Sequence, residues 1–134
     1  MFEPKKKIEV VAAVVFDKGN ILCVQRPSNK KAYISEKWEF PGGKVEQGES
    51  LEEALIREII EELSIRVDVE DLLIVVDHEY PDFVIKMHTF KCHQADGVLT
   101  LNEHINHAWL SQDQLNSLDW AAADLPIVEI WRKR

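Results

Sequence analysis

Thiols are scarce in this chain. Cys23 and Cys92 are its only two, far apart and outside any CxxC pair. That excludes a disulfide framework and a zinc ribbon, and it suits a reducing compartment. Long apolar runs are missing as well. Nothing approaches the roughly 18 residues of a membrane span, and no apolar core follows the basic start MFEPKKKIEV, so neither a spanning segment nor a secretory signal is expected. Positive charge is in deficit, with 16 Lys and Arg against 24 Asp and Glu and a net charge of −8. This argues against binding to a nucleic-acid backbone. No internal repeat, low-complexity tract or linker interrupts the chain. The expectation from these absences is a cytoplasmic protein made of one domain over residues 1–134, long enough to bury its own core.

The charge that is present is uneven. Residues 1–44 hold nine Lys and Arg against five Asp and Glu, so the acidic excess lies in the remainder. A basic front beside an acidic body suits a small anion with a divalent metal, although solvated surface charge explains it equally simply.

Hydrophobic patterning gives the elements. Ile8–Phe16 is a β-branched run, Asp17-Lys18-Gly19-Asn20 a turn, and Ile21–Gln25 the returning strand. A polar loop, Pro27–Lys37, leads to the short apolar Trp38–Phe40, which Pro41-Gly42-Gly43 breaks. Ser50 and Glu53 have the spacing of a capping box, and an amphipathic helix is expected over Leu51–Leu63. Strands are expected over Leu72–His78, Phe83–Cys92 and Asn106–Leu110, with a turn at Gly97. Ser111–Leu115 and Leu125–Arg132 read as a short and a longer helix. This order gives an α+β domain, a mixed sheet with helices on its faces.

The chemistry is carried by GGKVEQGESLEEALIREIIEELSI, Gly42 to Ile65. At about 100° per residue, Leu55, Ile56, Ile59, Ile60 and Leu63 share one face, expected to bury against the sheet. Glu58, Glu61 and Glu62, at i, i+3 and i+4, meet on another. Alone, three such carboxylates also describe a solvated acidic face with Arg57–Glu61 and Arg57–Glu53 ion pairs. The flanks favour a metal. Mg²⁺ takes carboxylates, phosphate oxygens and water, and a Gly-Gly turn lets backbone groups come close to an ion or phosphate.

Gly43, then Glu49, then Arg57-Glu58-Ile59-x-Glu61-Glu62-x-Ser64-Ile65 resembles the Nudix box at all but one position. The exception is Ser64, where the family has Gly; Ser in a left-handed helix exit should cost on the order of 1 kcal/mol. The WEFPGGK run, Tyr80-Pro81-Asp82, Glu103 six residues before Trp109, and AAADLPIVE extend the likeness to the MutT-type branch over nearly the whole chain. The resemblance implies a Nudix fold, a mixed sheet sandwiched between helices. It implies cleavage of a nucleoside triphosphate into a monophosphate and pyrophosphate, with cytidine and oxidised-guanine nucleotides as substrates. It implies Mg²⁺, with Mn²⁺ as a substitute, held by Glu58, Glu61, Glu62, Glu103 and the Gly42 carbonyl. Glu58 or a carboxylate beside it would take the proton of the attacking water, and Arg57 would orient Glu49 and Glu58. Arg26 and Lys44 would meet the phosphates, Phe40 and Tyr80 would sandwich the base, and Asp124 would read its edge.

Each assignment has a plainer counterpart: surface charge for Arg26, Lys44 and Glu103, a core role for Phe40, a helix N-cap for Asp124. The five histidines and four tryptophans read as structural or surface residues. The expected partner is a small nucleotide, with no nucleic acid and no membrane, for a monomer or homodimer. Hydrolysis of another nucleoside diphosphate compound, such as ADP-ribose or a nucleotide sugar, stays open, as does a non-catalytic Nudix-fold binding module.

Overall fold

A computed structural model describes residues 4–132; the outermost parts of the expected 1–134 domain, residues 1–3 and 133–134, lie outside the described residues. The strands are β1 (Lys6–Asp17), β2 (Asn20–Gln25), β3 (Trp38–Glu39), β4 (Gly42–Lys44), β5 (Ile65–Glu79), β6 (Phe83–Gly97) and β7 (Asn106–Leu110). The helices are α1 (Leu51–Leu63) and α2 (Leu125–Arg132), with 3-10 turns at Gln112–Ser117 and Ala122–Asp124. The sheet is mixed and runs β3-β2-β1-β6-β5, with β4 also pairing β1 and β7 also pairing β2. β1 and β6 are parallel, from Lys6 opposite Phe83 to Phe16 opposite His93.

β1 shows how the sequence builds two cores. Its side chains alternate between faces. Val11, Ala13 and Val15 bury with Ala54, Leu55, Ile59 and Leu63 of α1. Ala12 and Val14 bury with Ile127, Val128 and Trp131 of α2. The two helices therefore cover opposite faces of one sheet, the sandwich that the resemblance implies. No helix among the described residues is long and apolar enough to cross a membrane.

Three expectations are corrected. β5 is much longer than Leu72–His78, because it starts straight after α1 and buries Ile65 and Val67 beside the exposed Arg66 and Asp68; register shifts at Arg66/Val67, Val69/Leu72 and Leu72/Ile74 interrupt its pairing with β6. The short helix expected over Ser111–Leu115 is a 3-10 helix over Gln112–Ser117, with Ser111 as its N-cap. Gly97 closes β6 with φ +95° rather than standing in a separate turn.

α1 begins and ends as the sequence predicts. Ser50 Oγ accepts from Glu53 N–H at 3.1 Å while Glu53 Oε1 accepts from Ser50 N–H at 2.9 Å, so the capping box is formed. Ser64 ends the helix in the left-handed region, at φ 59° and ψ 23°. Its apolar stripe is narrower than expected. Leu55, Ile59 and Leu63 are fully buried and Ile56 is partly covered, but Ile60 is 46% exposed. Ala54 and Glu62 are buried on that helix instead. The helix is rolled so that its carboxylate side, not Ile60, faces β4.

Candidate active site

β4 lies between β1 and α1, and its two glycines set how closely the helix carboxylates approach. A Cβ on Gly43 would come 2.3–2.7 Å from the atoms of the Glu58 carboxyl group, and one on Gly42 would lie 1.9 Å from the Val11 carbonyl oxygen. At Gly42 only glycine fits against the β1 backbone, and at Gly43 a side chain would push the Glu58 carboxyl aside. The Gly42 N–H then donates to Glu62 Oε1 at 3.1 Å.

Arg57 organises the loop that precedes α1. It grips Glu49 with two bonds, Nε to Oε2 at 2.6 Å and Nη2 to Oε1 at 2.8 Å. Nη1 reaches Glu58 Oε1 at 3.0 Å and Glu61 Oε2 at 3.2 Å, and Nη2 also donates to the Lys44 carbonyl at 3.1 Å. The paired fork geometry is the strong form of this interaction. It holds the Glu49 carboxyl down at about 2, chiefly through the Arg57 bond. The expected Arg57–Glu53 ion pair is not among these contacts, since Glu53 is engaged in the capping box.

The remaining acids are crowded. Burial first, and then the charges of Glu39, Glu58 and Glu103, push Glu62 up to about 9. Burial also raises Glu58, against the pull of Arg57. Glu103 lies on an exposed segment between β6 and β7, yet its charge is felt at both Glu58 and Glu62. Among the described residues no three of these side chains already converge as metal ligands, and Glu58 and Glu61 each bond Arg57. The donor set still suits a hard divalent cation: it is all oxygen, mutually repelling, and partly buried over a glycine cradle.

Beside the carboxylates opens a cleft of about 720 Å³. Its wall includes Gly42, Glu58 and Glu62, and all five residues expected to touch substrate: Arg26, Phe40, Lys44, Tyr80 and Asp124. Glu61 and Glu103 are not on that wall. Phe40 is buried and stacks on Trp120 at 4.7 Å between ring centres. Tyr80 stacks on Tyr33, and its hydroxyl accepts from Ala123 N–H at 3.0 Å. Asp124 is 5% exposed, and its Oδ1 accepts from Phe40 N–H at 3.0 Å. That bond crosses the fold and is not a helix-cap bond. Burial and the Glu39 charge raise Asp124 well above the usual carboxylate range.

Sequence reasoning missed Glu39; His104, read as structural or surface, is buried beside it. Glu39 lines the cleft and splits its oxygens between Arg26 Nη1 at 3.3 Å and His104 Nε2 at 2.9 Å. Facing an oxygen that only accepts, His104 Nε2 carries the hydrogen. The available signal was a charge inside the apolar Trp38–Phe40 run.

The model of the NUDIX domain matches residues 6–129. The chain is similar to a CTP pyrophosphohydrolase of Escherichia coli (strain K12), 37% identical over 92% of this chain and 90% of that one. It is similar to the 8-oxo-dGTP diphosphatase of the same organism, 29% identical over 92% of this chain and 95% of that one. Among solved structures, the MutT protein from Methanosarcina mazei Go1 superposes with a TM-score of 0.85 at 27% identity, covering 98% of this chain and 97% of that chain. With the glycine cradle, the Arg57 clamp and the crowded carboxylates all in the order of the Nudix box, this chain belongs to the NUDIX family and is a MutT-like Nudix hydrolase.

Proposed function

We propose that this hydrolase converts a nucleoside triphosphate and water into a nucleoside monophosphate and pyrophosphate, with water attacking the β-phosphorus, and that it cleanses the nucleotide pool of CTP-like and 8-oxo-dGTP-like compounds. The observation that carries this reading is the cleft itself, whose wall joins Gly42, Glu58 and Glu62 to the aromatic Phe40 and Tyr80 and the buried Asp124. The similarity to a CTP pyrophosphohydrolase and to 8-oxo-dGTP diphosphatases supports the substrate class. The free nucleotides it would act on are cytoplasmic, which is where we place it.

Nudix hydrolases generally use a divalent metal, and we assign Mg²⁺, with Mn²⁺ as a substitute, to Glu58, Glu61, Glu62, Glu103 and the Gly42 carbonyl. When bound, such an ion supplies Lewis acidity and neutralises phosphate charge. The protein does the rest. Glu58 accepts the proton of the attacking water, helped by a burial that makes it more basic than an ordinary carboxylate. Arg57 fixes the direction of Glu58 and ties it to Glu49, so the acceptor is held in place before substrate arrives. Arg26 and Lys44, on the cleft wall, offer positive charge to the triphosphate. The β–α bridging bond breaks, the monophosphate leaves, and the water oxygen stays with pyrophosphate. Hydrolysis in ¹⁸O-water tests this. Label in pyrophosphate is expected, and label in the monophosphate, or release of orthophosphate with a diphosphate, sinks the assignment.

Base choice rests on Asp124. Kept protonated by burial, it presents a donor beside an acceptor, whereas an ionised carboxylate only accepts. Cytosine offers N3 beside its exocyclic amine, and 8-oxoguanine offers O6 beside N7–H, so one neutral acid serves both. Asparagine offers the same pair, with its oxygen on Phe40 N–H and its NH₂ toward the base, as the neutral acid does with its hydroxyl. Asp124→Asn should therefore leave the ratio of kcat/KM for 8-oxo-dGTP over CTP near its original value, while Asp124→Ala, which removes both groups, should lower kcat/KM on both nucleotides. A shift of about tenfold between the two bases in Asp124→Asn, the worth of one hydrogen bond, would mean that the carboxyl reads the base as an ionised acceptor. Unchanged kcat/KM in both variants would restrict Asp124 to holding Phe40.

A further inference from the structure

The one departure from the Nudix box, Ser64, has a partner. Its left-handed backbone strains any side chain, but Asn102 Nδ2 donates to Ser64 Oγ at 3.0 Å and to the Glu61 carbonyl at 3.0 Å. The Asn102 N–H donates to the Glu62 carbonyl at 3.0 Å, and Thr100 N–H to that of Leu63 at 2.9 Å. Residues 100–102 thus take up carbonyls that the end of α1 leaves without helical partners. Glu103 is the next residue. On its far side His104, with a side chain 3% exposed, is bonded to Glu39, and Ile105 N–H donates to the Gln25 carbonyl at 3.0 Å. The segment from 98 to 105 has no regular structure of its own, so the place of Glu103 is set by these two anchors, one on α1 and one on β2 and β3.

We propose that Ser64 and Asn102 are positioning residues for Glu103: the serine hydroxyl orients the Asn102 amide against the end of α1, and that amide sets Glu103 at its distance from Glu58 and Glu62. The inference rests on the reading of Glu103 as a metal ligand. Where a glycine would leave the helix end unstrained, this chain accepts strain and gains an anchor beside the metal site. A serine that is merely tolerated and an asparagine that merely caps the helix would have no effect on metal affinity.

The test is Mn²⁺ binding to the whole protein without nucleotide, read from the spectroscopic signal of free Mn²⁺, together with Tm, kcat and KM. Ser64→Gly should hold or raise Tm, since strain is relieved, while weakening Mn²⁺ binding several-fold. Asn102→Ala should weaken it by about tenfold, as loss of a group that orients a ligand does. The double variant should bind no worse than Asn102→Ala alone, because both act through one contact. Glu103→Gln should weaken binding by itself and abolish the effect of Ser64→Gly. In Ser64→Gly and Asn102→Ala, KM for the nucleotide at saturating metal should stay near its original value, and kcat should recover as metal is raised. If Glu103→Gln weakens binding but Ser64→Gly and Asn102→Ala do not, the positioning role is wrong and the ligand reading survives. If Glu103→Gln binds Mn²⁺ normally, the ligand reading falls and the positioning role with it. Because Ser64→Gly removes strain, it tests the idea even if Asn102→Ala fails to fold.

Discussion

Glu58→Gln is expected to lower kcat by about 10² or more at saturating Mg²⁺ while leaving the fold intact. The side chain is 15% exposed, rests over Gly43, and reaches Arg57 through one oxygen. Glutamine has the same shape and can still accept from Arg57 with its amide oxygen. It cannot take a proton from water at neutral pH, and it cannot offer a charge to a cation. The loss should therefore fall on kcat rather than on nucleotide binding. Tm should hold or rise, because one of several crowded negative charges is removed. Glu61→Gln is the informative companion. Glu61 is 55% exposed and off the cleft wall, which is how a solvated acidic surface residue would also look. A similar loss assigns it to the metal, and a near-normal kcat at saturating metal makes it an ordinary partner of Arg57.

In chelator, the protein should become less stable as pH rises from about 5 to 9, and Glu62 should be a main cause. Its carboxyl ionises near the ordinary value of 4.5 in the unfolded chain but at about 9 in the folded one. Between those values the unfolded state has released a proton that the folded state keeps, so raising pH favours unfolding. The contribution approaches about 1.4 kcal/mol per pH unit inside that window. Asp124, raised by its burial, acts in the same direction. Denaturation of Glu62→Gln in chelator should therefore show a shallower decline, not a flat line. The gap between variant and parent should widen from pH 5 to pH 8.5 in favour of the variant. Equal gaps at both ends would show that Glu62 ionises normally in the fold. Added Mg²⁺ at pH 8 should stabilise the parent more than the variant.

Much of the site was legible because it lies on one helix. The spacing of Glu58, Glu61 and Glu62 and the capping pair Ser50 and Glu53 depend on local geometry alone, and α1 spans the residues that periodicity predicts. The glycine in the box foretold the left-handed exit, and Ser64 adopts it. Periodicity fixes where a side chain points around the helix but not what covers that side. Ile60 was expected in the core, and the approach of β4 to the Glu58–Glu62 side leaves it in solvent instead. Residues joined across the fold carry no local signal. Glu39 and His104 lie 65 residues apart, and each alone resembles a surface polar residue. The first part of β5 alternates as a strand should, Ile65-Arg66-Val67-Asp68-Val69, but Glu70-Asp71 and the bulge there part it from the apolar run that begins at Leu72.

The parallel pairing of β1 with β6 has a consequence for how the chain is made. β1 meets β2 through a short turn and can form that hairpin at once. Its other edge must await Phe83–His93, most of the chain later. At roughly 5–20 residues per second of synthesis, several seconds pass with Ile8–Phe16 half-paired and apolar on both faces. Loop closure over that span is slow even after release, so folding should take milliseconds to seconds rather than microseconds. During that interval the nascent strand is a template for pairing with another chain, and the charges that flank it, Lys5-Lys6-Lys7 on one side and Asp17-Lys18 on the other, stand where they oppose such stacking.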